Sequence, residues 1–234
     1  MKIGGFQKNT LIDFPGTIAC IVFTKGCNFI CPYCHNPDLV ATPKKVATDL
    51  FDENKIFNFL EKRKGLLEGV VISGGEPTLQ EDLIAFSRII KDMGYRLKLD
   101  TNGTRPEILA KLFEQELVDF VSMDIKTCLE KYHLVVPGKF DAKKIYESIC
   151  LLMDKAPAYE FRTTCVRPFI NKKIMTDIGK MITGASTYNL QKCSRNVTVL
   201  DPKFLKADHN FFSDKQMLEL KAIIDKYVTT SVVR

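Results

Sequence analysis

The sequence lacks the features that would direct a protein to a membrane, out of the cell or to nucleic acid. No apolar stretch approaches the ~18 residues of a membrane span, and the start, MKIGGFQKN, lacks the basic and apolar regions of a signal peptide. The 34 Lys and Arg residues outnumber the 28 Asp and Glu residues, but they are spread along the chain in short groups. We therefore expect a soluble, cytoplasmic protein with no membrane or nucleic-acid partner.

The cysteines do not indicate a disulfide framework. Thiols stay reduced in the cytoplasm, and 234 residues with 45% hydrophobic content can fill a sizeable core without covalent links. No segment rich in Pro, Gly or Ser divides the chain, so we expect one domain over residues 1–234. The eight cysteines therefore need another explanation.

Alternating apolar and amphipathic segments predict repeated β-α units. We predict six strands, at residues 17–24, 69–73, 96–101, 120–125, 159–165 and 188–191. We predict helices at residues 49–62, 83–93, 141–155, 173–183 and 213–228, and one more that begins near Pro106. Gly94 is placed to end its helix, and Ser213 and Gln216 have the spacing of a capping box. Right-handed crossovers then give a parallel sheet that is either open or curved into part of a barrel.

Either architecture places an active site at the carboxyl ends of the strands. Polar or metal-binding groups follow five successive predicted strands there: the cysteine loop at residues 26–35, Ser73-Gly74-Gly75-Glu76-Pro77, Asp100-Thr101-Asn102-Gly103, Asp124-Ile125-Lys126 and Arg162. Each string alone is also an ordinary turn or a solvated charge. Their convergence is what predicts a site.

Cys27, Cys31 and Cys34 have the spacing C-x3-C-x2-C and can wrap one metal centre. One alternative is structural zinc, for which His35 would complete a Cys3His set. The other is a [4Fe–4S] cluster held by three thiolates, which leaves one iron open to a substrate. The absence of a second Cys/His pair at zinc-finger spacing and the nearby glycines and carboxylates favour the cluster.

The cysteine loop, with Tyr33 before the last cysteine, resembles that of radical S-adenosylmethionine (SAM) enzymes. Tyr33-Cys34-His35-Asn36, followed by the strings after the next three strands, is similar to the glycyl-radical-enzyme activating proteins. The amino end, IGGFQKNTLIDFPG, is most similar to the anaerobic ribonucleoside-triphosphate reductase activating group. The resemblance implies an α/β fold with a partial (β/α)6 barrel.

It also implies an activity. SAM would chelate the open iron of one [4Fe–4S] cluster, and reductive cleavage would give methionine and a 5′-deoxyadenosyl radical. That radical would take a hydrogen from a glycine of a partner enzyme. The similarity of the amino end favours anaerobic ribonucleoside-triphosphate reductase as this partner. A flavodoxin or ferredoxin would supply the electron.

The same resemblance assigns expected roles to the site residues. Gly74 and Gly75 would present backbone groups to the SAM amino group, and Asp100 suits that ammonium or a nearby cation. Glu76 and Asn102 are further expected cofactor-binding residues. Asp124 suits ribose hydroxyls, and Lys126 and Arg162 suit the methionyl carboxylate or the ribose. Tyr33 matches the position beside adenine, and Phe29, Ile30 and Tyr33 would shield the cluster from water.

Three points leave alternatives open. Pyruvate formate-lyase activating enzyme has a His near the end of its sixth strand, where this chain reads Leu190-Gln191-Lys192. This difference leaves open the contacts of the sixth strand and whether pyruvate formate-lyase is the partner of this chain. A radical SAM enzyme with a small-molecule substrate and a zinc-binding interaction module are competing functions. The remaining cysteines have no ligand spacing, and we expect them to fill space in the core: Cys20, Cys128, Cys150, Cys165 and Cys193.

Overall fold

One eight-stranded sheet organises the residues that the computed structural model describes, 1–40 and 50–234. The strands are β1 (Ile3–Thr10), β2 (Ala19–Thr24), β3 (Gly69–Gly74), β4 (Arg96–Thr101), β5 (Phe120–Asp124), β6 (Tyr159–Cys165), β7 (Thr187–Lys192) and β8 (Thr230–Val233). They lie side by side in sequence order; β1 pairs antiparallel with β2, and every later pair is parallel. The predicted α/β architecture, a partial barrel, is confirmed.

Helices connect the parallel strands. They are α1 (Glu53–Glu61), α2 (Leu83–Asp92), α3 (Pro106–Glu114), α4 (Lys143–Lys155), α5 (Lys172–Met181), α6 (Pro202–Lys206) and α7 (Asp214–Ile224). Pro106 is the first residue of α3, and Gly94 adopts a φ of 89° just after α2, as predicted. The capping box of Ser213 and Gln216 is present at the start of α7. No helix in the described ranges is long and apolar enough to cross a membrane.

The six predicted strands correspond to β2 through β7, but the prediction of only six was wrong. β1 reads IGGFQKNT. It is an edge strand with three exposed polar residues, Gln7, Lys8 and Asn9, and it lacks the continuous apolar run of a buried parallel strand. β8 has four residues, half of them exposed, at the opposite edge. The predicted helix 213–228 ends as α7 at Ile224, and the chain then turns into β8.

One helix was missed by the prediction, and another begins later than predicted. α6 has five residues, too few to show helical periodicity in the sequence. The helix predicted at 49–62 is observed as α1 from Glu53, where the side chain of Asp52 caps it; position 49 lies outside the described residues.

The turn between β1 and β2 closes the lower end of the barrel, opposite the carboxyl ends of the strands. Phe14 in this turn is fully buried, and its ring lies 6.1 Å from that of Phe120 at the start of β5. The Arg96 guanidinium, at the start of β4, lies 4.9 Å from the Phe14 ring centroid. The barrel interior is therefore accessible from the end where the parallel strands finish.

The remaining cysteines mostly behave as expected. All eight cysteines are free thiols, and Cys20, Cys128, Cys165 and Cys193 are buried. Cys150 on α4 is exposed, so the expectation that it fills core space was wrong. Cys150 lies on the face of α4 opposite its four buried residues, Ile145, Ser148, Ile149 and Leu152.

Candidate active site

One cavity of about 350 Å³ opens among the carboxyl ends of the parallel strands. All of the predicted site residues line it: Cys27, Cys31, Tyr33, Cys34, Gly74, Gly75, Glu76, Asp100, Asn102, Asp124, Lys126 and Arg162. They come from the loop after β2 and from the ends of β3, β4, β5 and β6. Residues separated by up to 135 positions thus meet because parallel strands place their carboxyl ends at one edge.

The loop after β2 turns the three cysteines toward this cavity. The Cys34 N–H donates to the Cys31 carbonyl at 3.0 Å, and the Phe29 N–H donates to the Cys27 sulfur at 3.4 Å. Burial raises the pKa of Cys27 to about 12 and that of Cys31 to about 11. Three free thiols on one short loop form a donor set that suits iron and sulfide.

The aromatic residues of this loop anchor it differently from expectation. Phe29 is buried against Tyr132 at 6.0 Å between ring centroids, and Tyr33 is buried against Phe169 at 5.4 Å. Ile30, by contrast, is 47% exposed and lies outside the cavity lining, so its shielding role stays a prediction. Its N–H still fixes the loop by donating to the Val135 carbonyl at 2.9 Å.

Glycine is required at positions 74 and 75 because the end of β2 and the cysteine loop that follows it pack against the end of β3. A Cβ on Gly75 would overlap the Gly26 carbonyl, and one on Gly74, whose φ is 111°, would lie 2.5 Å from the Thr24 backbone nitrogen. The Gly75 N–H donates to the Thr24 carbonyl at 2.9 Å. An ammonium group donates hydrogen bonds, so backbone carbonyls here are the groups that can bind it.

Glu76 ties the ends of β3 and β4 together. Its buried carboxylate accepts hydrogen bonds from the Thr78 N–H at 3.1 Å, the Thr101 hydroxyl at 2.7 Å and the Asn102 N–H at 2.7 Å. Burial outweighs these bonds and raises the pKa of Glu76. Asn102 in turn donates from its side chain to Asn28 of the cysteine loop at 2.8 Å. Both residues therefore hold the cavity wall in place.

Alternating charges run along the wall formed by β4, β5 and β6. Arg162 Nε donates to Asp124 Oδ1 at 2.9 Å and Nη1 to Asp100 Oδ2 at 3.4 Å, while Lys126 Nζ donates to Asp124 Oδ2 at 3.1 Å. Burial would raise the pKa of Asp124, but the two cations outweigh it and lower the pKa to about 2. Arg162 and Lys98 likewise outweigh burial and lower the pKa of Asp100. Both carboxylates are thus ionised at neutral pH.

The lowered pKa of Asp124 determines how the stability of the fold depends on pH. Ionised Asp124 stabilises the fold fully above its ordinary pKa of 3.8, and this contribution is lost as the pH falls through about 2. Asp124 therefore stays ionised over the physiological pH range.

The sequence prediction assigned no role to several residues that line the cavity. Asp13, Phe23, Ser73, Thr164 and Gln191 also line it. Gln191, at the end of β7, accepts a hydrogen bond from the Thr164 hydroxyl at 3.4 Å and occupies the wall where the resemblance suggested a histidine. The alternation of side chains along a strand was the available signal, because Ser73, Thr164 and Gln191 share the inner face with predicted residues.

His35 does not join the three thiols in a compact ligand set. Its Nε2 lies 3.8 Å from the Cys193 sulfur, and burial, with Lys126, lowers its pKa. Within the described ranges, no three His, Cys, Asp or Glu side chains are arranged to hold a single metal ion.

Comparison with known proteins identifies the family. The radical SAM superfamily profile matches residues 21–168. Over 99% of its length the chain is 32% identical to a Methanocaldococcus jannaschii protein, covering 95% of that protein, whose name assigns it provisionally to the glycyl-radical enzyme activating enzymes. It is 39% identical over 141 residues to the pyruvate formate-lyase-activating enzyme of Listeria monocytogenes, which covers 56% of this chain and 55% of that enzyme.

Solved structures share the fold. A domain of pyruvate-formate lyase-activating enzyme from Bacteroides vulgatus superposes with a TM-score of 0.55 at 16% identity, covering 71% of this chain and 99% of that one. Streptococcus suis SuiB bound to SAM gives a TM-score of 0.65 at 12% identity, covering 89% and 48%. The chain thus belongs to the radical SAM superfamily and, within it, to the glycyl-radical enzyme activating enzymes. Its cofactors are a [4Fe–4S] cluster and SAM.

Proposed function

We propose that Cys27, Cys31 and Cys34 hold the [4Fe–4S] cluster and that the charged wall beside them binds SAM for activation of a partner enzyme. The observation that carries this proposal is the single cavity that the three thiols share with the residues at the ends of β3 through β6. When bound, the cluster and SAM supply a 5′-deoxyadenosyl radical, which takes a hydrogen from a partner's glycine. The chain itself binds, orients and protects these groups.

Each wall residue has a role that its contacts support. Backbone carbonyls at Gly74 and Gly75, with Asp100, accept from the SAM amino group. Lys126 and Arg162 pair with the carboxylate or ribose, because each keeps N–H donors beyond those bound to Asp124 and Asp100.

The remaining wall residues bind the adenosine end of SAM. Asp124 accepts from ribose hydroxyls, and Tyr33 lies beside the adenine. Glu76 and Asn102 act indirectly by fixing the strand ends.

The partner that we propose is anaerobic ribonucleoside-triphosphate reductase. Support comes from the amino-terminal string that resembles the activating proteins of that enzyme, which here forms β1 and the turn that closes the barrel. Gln191 also stands on the wall where pyruvate formate-lyase activating enzyme has a histidine. Flavodoxin or ferredoxin is the electron donor that the resemblance implies. The compartment that we propose from the sequence is the cytoplasm.

Pyruvate formate-lyase is the second candidate partner. The 39% identity to the Listeria monocytogenes activating enzyme favours it. That match covers 56% of this chain, whereas the match to the M. jannaschii protein covers 99%. The first candidate therefore remains our proposal.

Electron paramagnetic resonance on partner mixtures tests the proposal. The protein is reconstituted anaerobically, reduced with SAM and mixed separately with each glycyl radical enzyme of the same organism. We expect a glycyl-radical doublet on the ribonucleotide reductase. A doublet on pyruvate formate-lyase alone would identify the second candidate, and SAM cleavage without a radical on either enzyme would contradict the activase function.

Asp124→Asn is expected to weaken SAM binding and to leave the cluster intact. The variant keeps the side chain's size but removes the charge that Arg162 and Lys126 bind, at a cost of about 1–3 kcal/mol in SAM affinity. Equilibrium dialysis and iron content measure the two effects. Asp119→Asn, which alters an ion pair with Lys91 outside the cavity, is the control. Equal affinity in the Asp124 variant and the wild type would remove Asp124 from the SAM site.

A further inference from the structure

Lys98 is a buried cation next to the cavity to which the residue roles proposed above assign no function. Its side chain is 1% exposed, and its ammonium donates to Asp100 Oδ1. Lys98 stands two residues before Asp100 on β4, so both side chains share the inner face of the barrel. Burial of a lysine is costly unless its charge is paired. Its presence here therefore points to a specific task at Asp100.

The surroundings of Lys98 direct its charge toward Asp100. Its neighbours in sheet register are Val71 on β3 and Phe120 on β5, and Nζ lies 6.0 Å from the Phe120 ring centroid. Below it, Phe14 packs against Phe120 and closes the barrel. The ammonium thus rests on an apolar floor and faces the carboxylate above it.

Lys98 determines how Arg162 is shared between two carboxylates. Asp100 Oδ1 binds Lys98, while Asp100 Oδ2 accepts from the Ser73 hydroxyl at 2.9 Å and from Arg162 Nη1 at 3.4 Å. The Arg162 contact to Asp124 is shorter, at 2.9 Å. Without Lys98, Asp100 would have Arg162 as its one cation among these partners and would draw it inward, because opposite charges attract strongly in a buried site.

Contacts with β3 determine where Asp100 lies in the cavity. Ser73, which binds Asp100, precedes the glycines that pack on the cysteine loop. The Glu76 N–H donates to the Gly26 carbonyl of that loop at 2.8 Å. Asp100 thus lies beside the end of β3 on which the cysteine loop packs, next to the glycines proposed to bind the SAM amino group.

We propose that Lys98 is a positioning residue for SAM: its ammonium fixes Asp100, and through Asp100 the Arg162 guanidinium, in the arrangement that meets the methionyl end. This inference rests on SAM binding in the cavity, as proposed above. Loss of the Lys98 charge is therefore expected to lower the affinity for ligands that carry the methionyl amino acid group and to leave the affinity for ligands that lack it unchanged.

Lys98→Met tests this role, because methionine retains much of the length of lysine without the charge. In the anaerobically reconstituted protein, we expect the dissociation constant for SAM to rise about tenfold or more, with iron content unchanged. The affinity for 5′-methylthioadenosine, which lacks the methionyl amino acid group, should change by less than about twofold. Lys98→Arg, which keeps the charge, should retain most of the SAM affinity.

Lys91→Met is the matched control, since it removes the lysine of an ion pair with Asp119 outside the cavity. Equal weakening of both ligands in Lys98→Met would show a merely structural role, and an unchanged SAM affinity would also overturn the proposal. If Lys98→Met does not keep its cluster, Lys98→Gln replaces it in the same comparison with Lys98→Arg. A wild-type protein that binds no SAM would instead refute the proposed function.

Discussion

Replacing Cys31 with alanine is expected to give a folded protein that holds no intact [4Fe–4S] cluster and cleaves no SAM. The proposed site supplies three thiolates, and Cys31 is the middle one on the loop, 6% exposed and turned into the cavity. Loss of one of three ligands leaves two irons without protein donors. Iron and sulfide per chain, visible absorption and 5′-deoxyadenosine formation measure the effect.

Cys165→Ala is the matched control for this variant. Cys165 is also buried, at 1% exposure, but it lies on β6 outside the cavity lining, and its thiol donates to the Thr163 carbonyl at 3.6 Å. We expect this variant to retain its cluster and its activity, with a modest loss of stability. A Cys31→Ala protein that still cleaved SAM would show that the ligands are assigned incorrectly.

Gly75→Ala is expected to reduce SAM cleavage about a hundredfold, although glycine 75 contributes no side chain to the chemistry. The new methyl group would overlap the Gly26 carbonyl, and backbone cannot move aside as a flexible side chain can. The cysteine loop would shift away from β3, which displaces the cluster from the SAM-binding wall. Cleavage rate and cluster content, measured on the same preparation, separate displacement from loss of the cluster.

Gly5→Ala on β1 provides the control. A Cβ there would meet the Phe23 side chain at 3.5 Å, an ordinary van der Waals contact. Like Gly75, Gly5 has no positive φ, so the two substitutions differ in the space available and not in backbone strain. Full activity in Gly75→Ala would mean that the close approach of the loop to β3 is unimportant for catalysis.

The sequence was sufficient to predict the parallel strands and the groups at their carboxyl ends. β2 and β3 are continuous apolar runs of the kind that buried parallel strands require, whereas polar residues interrupt the apolar ones in β4, β6 and β7. Parallel pairing gathers Cys27, Asp100, Asp124 and Arg162 at one edge. The prediction of the cavity therefore needed only the strands and the residues that directly follow them. It failed at the sheet edges, where β1 and β8 are partly exposed and carry no such run.

Pairings within the cavity were not predictable from the sequence in the same way. Asp100 was expected to meet the SAM amino group or a nearby cation, but its hydrogen bonds to Ser73 and Arg162 depend on the register between strands. The Glu76 carboxylate similarly accepts hydrogen bonds from three neighbouring residues. Short motifs identify which residues reach a site, whereas side-chain partners are determined by packing across it.

The most direct test of the central claim follows the hydrogen that leaves the partner's glycine. Anaerobic ribonucleoside-triphosphate reductase from the same organism is prepared with deuterium on its glycine α-carbons and activated with this protein, a reductant and SAM. The account predicts 5′-deoxyadenosine that carries one deuterium, detected by mass spectrometry, in parallel with a glycyl radical on the reductase. SAM cleavage that yields only unlabelled 5′-deoxyadenosine would contradict it.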